Sequence, residues 1–382
     1  MAKRIGIIGG GQLGMMLTEA AARMPEHISS VTVLDPTENC PAAQAGARQI
    51  IGKFTDRDAI LQLADCSDII TYEIESGDSR TLSTLDADIE PSPDTLRIIQ
   101  DKLFQKQLLR DNDIPVADFV GIETELDLRA GLDKFGMPAL LKTRRDAYDG
   151  RGNYVIQDRA DIHASFAHFG SASTMLERFV NFSKEVSVIA ARSTSGEIAA
   201  YPIVENIHEN SILRMTIAPA RVSTRVAERA GEMARRTMEV LHGAGVFGIE
   251  MFVVKDDIMI NEIAPRVHNS GHHTLQSSET SQFEQHLRAV LGLKLGGVRL
   301  LHSAIMYNLL GPKEFSGPYD VAGASPDIYL KMYGKRESRP ARKLGHYNLV
   351  AKENQTISDL LQRIDSLKNL ITIVPRTADG LH

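Results

Sequence analysis

The stretch from Arg4 to Ala20, RIGIIGGGQLGMMLTEA, leaves few options for how the chain begins to fold. Ile5, Ile7 and Ile8 make an apolar run, and Gly9, Gly11 and Gly14 fit the pattern G-x-G-x-x-G. Met15, Met16, Leu17 and Ala20 then continue with a helix-like pattern. A strand that runs through a glycine turn into a helix opens a βαβ unit. Its glycines permit the tight turn and let an anion approach the helix N-terminus. A second strand, Val31 to Leu34, ends at Asp35, at roughly the 20-residue distance where such folds place a ribose-binding acid. By itself the turn reads as a nicotinamide dinucleotide site.

The rest of the chain constrains that reading. With 382 residues it is long enough for two or three domains. A net charge of −6 argues against general binding to nucleic acid or anionic membranes, while leaving room for a local basic pocket. Cys40 and Cys66 have no paired spacing, which suits a reducing cytoplasm and offers no metal framework. No apolar run approaches the roughly 18 residues that span a bilayer. Lys3-Arg4 before Ile5 to Ile8 has the look of a secretory leader, but the glycines break its apolar core and it reads as a strand.

Strand and helix patterns alternate through the first hundred residues, which implies a parallel sheet with both faces covered. Two prolines in EPSPDTL mark a boundary near residues 91–95. A single helix is expected over DTLRIIQDKLFQKQLLRDNDI, with Asp94 as N-cap and Pro115 just past its end. Beyond it, neighbouring strands read as antiparallel hairpins: PALLKTRR with GNYVIQ, MLERFV with EVSVIAAR, and GVFGIEMFVV with IMINEIA. Helices at 224–242 and 280–291 interrupt them, and a smaller unit follows the Gly-rich 291–297. The expected organisation is an α/β domain over 1–97, an α+β domain over 98–292 and a C-terminal domain over 293–382.

Four stretches carry chemistry. If Lys255-Asp256-Asp257 form a three-residue hairpin loop, Glu250 falls opposite Glu262 on one face, with Asn261 beside them. Facing carboxylates repel unless a cation lies between them, and Mg²⁺ with substrate phosphates is the usual one. A two-residue turn would instead shift the register and turn one acid to solvent, and the sequence leaves both readings open. Lys142, in an apolar strand before the glycine-bearing loop 146–152, is placed to reach phosphates, or else is an edge lysine on a surface hairpin. NEIAPRVHNSGHHT gathers Arg266, His268, Asn269, His272 and His273. A zinc site of the three histidines lacks H-E-x-x-H and a cysteine pair, so an anion-stabilising loop fits better. Lys335, Arg336, Arg339, Arg342 and Lys343 form either a phosphate pocket or a solvated face.

In the order GGGQLG, YEIE, KTRRDAYDGRG, NEIAPRVHNSGHHT and YGKRESRPARKLGH, the chain resembles the ATP-grasp enzymes, and among them the 5-(carboxyamino)imidazole ribonucleotide synthetases of purine biosynthesis. The resemblance runs from residue 4 to about 350. It implies an ATP-grasp fold, α/β and α+β, with a Rossmann-like pre-ATP-grasp domain and a small C-terminal domain. It also implies a reaction that joins bicarbonate to aminoimidazole ribonucleotide at the expense of ATP, with Mg²⁺ as cofactor, in a cytoplasmic homodimer.

By the same resemblance, Lys102 and Lys142 contact the ATP phosphates, and Ala147, Tyr148, Asp149, Gly150, Arg151, Gly152 and Asn153 form a lid. Glu177, Arg178, Phe179 and Val180 hold the adenine edge by backbone groups, Glu185 the ribose, and His208 lies near the nucleotide. Glu250 and Glu262 bind Mg²⁺ with Asn261 alongside, and Tyr148, Asp149, Arg266, His268 and Asn269 surround the reacting centre. Gln12, Leu13 and Glu73 border the ribonucleotide, whose 5′-phosphate meets Lys335, Arg342 and Lys343. Ala147, Ala341 and YEIESGD depart from the family pattern of two glycines and YEFEN. A formate-dependent glycinamide ribonucleotide transformylase is the nearest rival, and RVHNSGHHT argues against it. A nicotinamide oxidoreductase leaves the facing acids, the lid and the basic cluster unused, and an inert nucleotide-binding regulator leaves the charged positions unexplained.

Overall fold

The computed structural model describes residues 1–146, 150 and 152–376. The opening segment forms the parallel sheet its alternation predicts, in the order Arg48–Ile51, Ile28–Asp35, Lys3–Ile8, Ile69–Tyr72. Ile5, Ile7 and Ile8 are buried, and the helix Gln12–Ala21 seals one face through Leu13, Met16 and Leu17. The edge strand Arg48–Ile51 is not legible in the sequence, since RQII is short and its residues stay largely in contact with solvent.

The single helix expected near residues 94–114 is two helices, Pro93–Ile99 and Lys102–Asp111. Ser92, not Asp94, caps the first, with Pro93 in its first turn. Asp101 breaks the run because its carboxylate accepts the Leu103 N–H at 3.1 Å and also pairs with Arg144 and Arg145. A side chain that hydrogen-bonds backbone locally competes with helix continuation, and here it starts a new helix.

Two antiparallel sheets follow. The smaller has the order Phe119–Ile122, Thr174–Arg178, Ala139–Thr143, Asn153–Ile156. The larger runs Asp257–Ala264, Gly245–Val254, Lys184–Arg192, Val204–Glu209, Ile212–Ala218, Ala304–Leu310, Lys343–Val350, Ile328–Met332, with Ile198–Ala200 paired to Lys184–Arg192. The expected hairpin of MLERFV with EVSVIAAR is therefore wrong. Thr174–Arg178 belongs to the small sheet and Lys184–Arg192 to the large one, so residues 179–183 cross between sheets. The other two hairpins form as expected.

The strands after residue 303 extend the large sheet, Ala304–Leu310 pairing directly with Ile212–Ala218. One apolar cluster joins Leu13, Met16 and Leu17 to Phe283 and Leu287 of the helix Gln282–Val290 and to Tyr333. Among the described residues, no helix is long and apolar enough to cross a membrane.

Candidate active site

Glu250 does face Glu262, by a route the loop count did not contain. The turn has two residues, since Val254 pairs with Asp257, and Lys255 takes a φ of +58° there. A bulge at Asn261 then adds back one residue, so Met251 pairs with Ile260 while Glu250 pairs with Glu262. The two-residue turn alone would have parted the acids, and the bulge reunites them. Both carboxylates take cationic or imidazole neighbours. Lys102 Nζ pairs with Glu262, and His268 Nε2 lies 3.4 Å from Glu250 Oε1. Burial and the charge of Glu262 push the Glu250 carboxyl up to about 7. Burial also penalises Glu262, but the ammonium of Lys102 outweighs it and holds that carboxyl below its ordinary range. Two partly buried acids titrating apart, with Asn261 at the bulge beside them, suit a hard divalent cation accompanied by substrate phosphate.

The helix Lys102–Asp111 links the two antiparallel sheets electrostatically. Lys102 reaches Glu262 on the large sheet, while Lys106, one turn later, lies 3.1 Å from Glu177 Oε1 on the small one. Lys142 takes the other oxygen of Glu177 at 2.7 Å, so it is a buried cluster lysine and not an edge residue. Arg178 points away, to Asp118 at 2.8 Å and the Phe135 carbonyl at 3.1 Å, as neighbours on a strand must alternate. Phe179 is exposed, and Val180 follows it out of the strand. Glu185 Oε2 meets His208 Nδ1 at 2.5 Å across adjacent strands. The lid positions Ala147, Tyr148, Asp149 and Arg151 lie outside the described residues. Gly150 takes a φ of +72° and packs against Ser211, where a Cβ would sit 2.5 Å from that residue's Cβ. Gly152 is buried and Asn153 starts the following strand.

The loop after Glu262 crosses over the large sheet at Gly248, where an added Cβ would lie 2.5 Å from His268 Cβ. A chain of buried side chains orients the histidine. Thr216 Oγ1 donates to Asn206 Oδ1 at 3.1 Å, Asn206 Nδ2 to Ser187 Oγ at 3.0 Å, and Ser187 Oγ to Ser270 Oγ at 2.8 Å. Ser270 Oγ meets His268 Nδ1 at 2.9 Å, and the Ser270 N–H points to the same nitrogen at 3.4 Å. Nδ1 is thus the acceptor, and the ring proton sits on Nε2 toward Glu250. Burial, helped by Arg266, keeps the His268 imidazole neutral. Arg266 itself pairs with Glu75 at 2.9 Å. Asn269 exchanges amide hydrogen bonds with Asn308, at 2.6 and 3.2 Å. His272 and His273 do not converge with His268: His272 Nδ1 meets Gln282 at 3.2 Å and His273 Nδ1 meets Ser277 at 2.8 Å. The zinc reading therefore fails, and among the described residues no group of three or more His, Cys, Asp or Glu is arranged to hold a metal.

At the opening turn, the anion position at the helix N-terminus is filled from within. Glu73 accepts the N–H groups of Gly11, Leu13 and Gly14, the last two at 3.0 Å. Asp35 accepts the Gly10 N–H at 2.9 Å and the Thr37 N–H at 2.8 Å, so it braces the turn instead of meeting a ribose. The nicotinamide reading ends there. Gln44 donates to the Gly334 carbonyl at 3.0 Å, which draws the basic C-terminal segment up to this turn. Lys335 donates to the Lys343 carbonyl at 2.7 Å, and burial lowers its ammonium to about 8. Arg342 donates to the Glu337 carbonyl at 2.8 Å. Glu75, Lys106, Gln282 and Asn308 were not singled out from sequence. The available signal was a polar residue inside an apolar pattern, as with Asn308 in AIMYNLL and Lys106 between Leu103 and Leu109.

Residues 1–100 match the ribonucleotide synthetase preATP-grasp domain, 107–283 the ATP-grasp domain, and 304–359 the phosphoribosylaminoimidazole carboxylase C-terminal domain. The chain is 42% identical over 347 residues to the N5-carboxyaminoimidazole ribonucleotide synthase of Brucella melitensis, a match spanning 90% of this chain and 94% of that protein. The crystal structure of N5-carboxyaminoimidazole ribonucleotide synthetase from Thermotoga maritima is 40% identical and covers 98% of this chain and all of that one, with a TM-score of 0.88. The Aspergillus clavatus synthase in complex with ADP and 5-aminoimidazole ribonucleotide is 34% identical, with a TM-score of 0.87 and coverage of 97% of this chain and 98% of that one.

Proposed function

The chain belongs to the N5-carboxyaminoimidazole ribonucleotide synthases of the ATP-grasp family, and from that premise we propose how its residues divide the work. The reaction carboxylates 5-aminoimidazole ribonucleotide with ATP and bicarbonate in purine biosynthesis. Bicarbonate is a poor electrophile, so phosphoryl transfer from ATP first makes carboxyphosphate. The exocyclic amine then attacks its carbon, or CO₂ released from it, and phosphate departs.

The facing pair Glu250 and Glu262 carries the reading. With Asn261 they would hold Mg²⁺, which when bound supplies charge neutralisation at the phosphoryl oxygens. Lys102 and Lys142 neutralise the polyphosphate from the helix and small-sheet sides. Backbone groups of Glu177 to Val180 line the adenine edge, the Glu177 carboxylate staying on its lysines, with Glu185 and His208 near the ribose. Arg266 and the Nε2–H of His268 stabilise negative charge on the carboxyl oxygens, Asn269 orients the group, and Tyr148 and Asp149 complete the centre, Asp149 moving the proton from the amine. The lid 147–153 excludes water from carboxyphosphate. Lys335, Arg342 and Lys343 hold the ribonucleotide 5′-phosphate, with Gln12, Leu13 and Glu73 on the facing rim. The working assembly in this reading is a cytoplasmic homodimer, checked by sedimentation velocity.

The deciding assay follows ADP release from ATP, Mg²⁺ and bicarbonate with and without the ribonucleotide. Release that depends on the ribonucleotide is expected, and Glu262→Gln should lower turnover at least about hundredfold while the far-ultraviolet circular dichroism is retained. Full activity in that variant would overturn the assignment of the facing acids.

A further inference from the structure

Glu177, Lys106 and Lys142 form a buried cluster of two cations on one carboxylate. Lys142 Nζ lies 2.7 Å from Glu177 Oε2, and Lys106 Nζ lies 3.1 Å from Oε1, without a well-aligned hydrogen bond to that oxygen. The Lys106 and Glu177 side chains are 3% and 5% exposed. Lys102, paired with Glu262, also feels the charge of Glu177, and Asp101 with Arg144 closes the helix N-terminus. The proposed function assigns Lys142 to the ATP phosphates, yet here it is held by a carboxylate. To meet phosphate it must weaken that pair, and a buried carboxylate left alone is strongly disfavoured.

We propose that Lys106 is a positioning residue for nucleotide binding: it remains on Glu177 as permanent counter-ion, which frees Lys142 to transfer from Glu177 to the phosphates. The inference rests on the assignment of Lys142 in the proposed function. With Lys106 present, the cluster carries one surplus positive charge at rest, and polyphosphate completes its neutralisation. Without Lys106, the surplus is gone, and Lys142 can leave only if Glu177 takes up a proton. Burial already works against the Lys106 ammonium, and the charge of Glu177 opposes that loss.

The test is calorimetric titration of the full chain with the Mg²⁺ complex of a non-hydrolysable ATP analogue, in two buffers of different ionisation enthalpy. Wild type is expected to bind with little proton uptake. Lys106→Met should bind at least about tenfold more weakly, take up close to one proton, and gain about tenfold in affinity for each pH unit lowered. Adding Glu177→Gln to that variant leaves Lys142 as the one surplus charge and should recover most of the loss without proton uptake. Unchanged affinity and no uptake in Lys106→Met overturn the inference. If that variant does not fold, the double variant decides: binding within about tenfold of wild type without uptake supports the inference, and a larger loss or uptake overturns it. Lys142→Met separates the two readings. Unchanged affinity there overturns the phosphate assignment itself, whereas a weakened Lys142→Met beside a wild-type-like Lys106→Met overturns only the role of Lys106.

Discussion

At Glu73 a carboxylate takes the position that a bound phosphate occupies in a dinucleotide fold. Its contacts with Gly11, Leu13 and Gly14 use the same amides, and an added Cβ at Gly9 or Gly11 would come within 2.6 or 2.7 Å of its side chain. The glycines needed for close anion approach are therefore present, and the anion is internal. Sequence spacing reported the cradle correctly but could not tell which acid fills it, since Glu73 arrives from another strand. The backbone also bears on Ala341, which stands where the family pattern has glycine and adopts a φ of +65°. An alanine there costs about 1 kcal/mol. Two predictions belong at this scale. Because burial lowers Lys335 to about 8, its ammonium is present below that pH and lost above it. The kcat/KM for the ribonucleotide should then fall as pH rises from about 7.5 to about 9.5, with a flatter profile in Lys335→Gln, as initial rates at low ribonucleotide would measure. Ser270→Ala removes the hydroxyl that faces His268 Nδ1, and kcat should drop about tenfold, corresponding to one charge-adjacent hydrogen bond. A pH-independent kcat/KM, or an unchanged kcat, would refute the respective argument.

The elements of the site were mostly visible as period and punctuation, and the errors came where a partner decided the outcome. PALLKTRR with GNYVIQ and GVFGIEMFVV with IMINEIA could be paired from proximity along the chain. MLERFV could not, because two other strands of the small sheet claim it. The bulge at Asn261 carries no sequence mark, yet without it Glu262 would face away from Glu250. The helix break at Asp101 likewise depends on Arg144 and Arg145, more than forty residues on. Gly248 is the element-scale test of how the loop that carries Arg266 and His268 is seated. Gly248→Ala drives a methyl into His268 and should cost about 1–3 kcal/mol of stability together with a fall in kcat, read by denaturant titration and steady-state rates. Wild-type rates in this variant would show that the loop is not seated on this strand during turnover.

Over the whole molecule, buried histidines couple the parts. His286 Nδ1 accepts the Val246 N–H at 3.0 Å, so its other nitrogen holds the proton and meets Thr71 Oγ1 at 2.8 Å, tying the large sheet to the parallel sheet. Burial lowers His286 and His273 to about 4 and His346 to about 3. Each is depressed below its unfolded value near 6.5, so its stabilising contribution is complete above that pH and is lost as pH falls toward 4. Thermal unfolding should therefore shift down by several degrees between about pH 7 and about pH 5.5, each histidine contributing about 1 kcal/mol to the loss. A melting temperature independent of pH over that range would contradict it.

The sequence alone determined the features that local spacing dictates: the opening βαβ unit, most strands and helices, the charged stretches and the family. Those properties depend on residues close together in the chain, where periodicity, caps and motif order act directly. Only the tertiary structure decided that Glu73 fills the glycine turn, that a bulge realigns Glu250 with Glu262, and that Lys106 and Lys142 share Glu177. Each of these turns on which distant side chain reaches a buried charge first, and burial makes that choice costly to reverse.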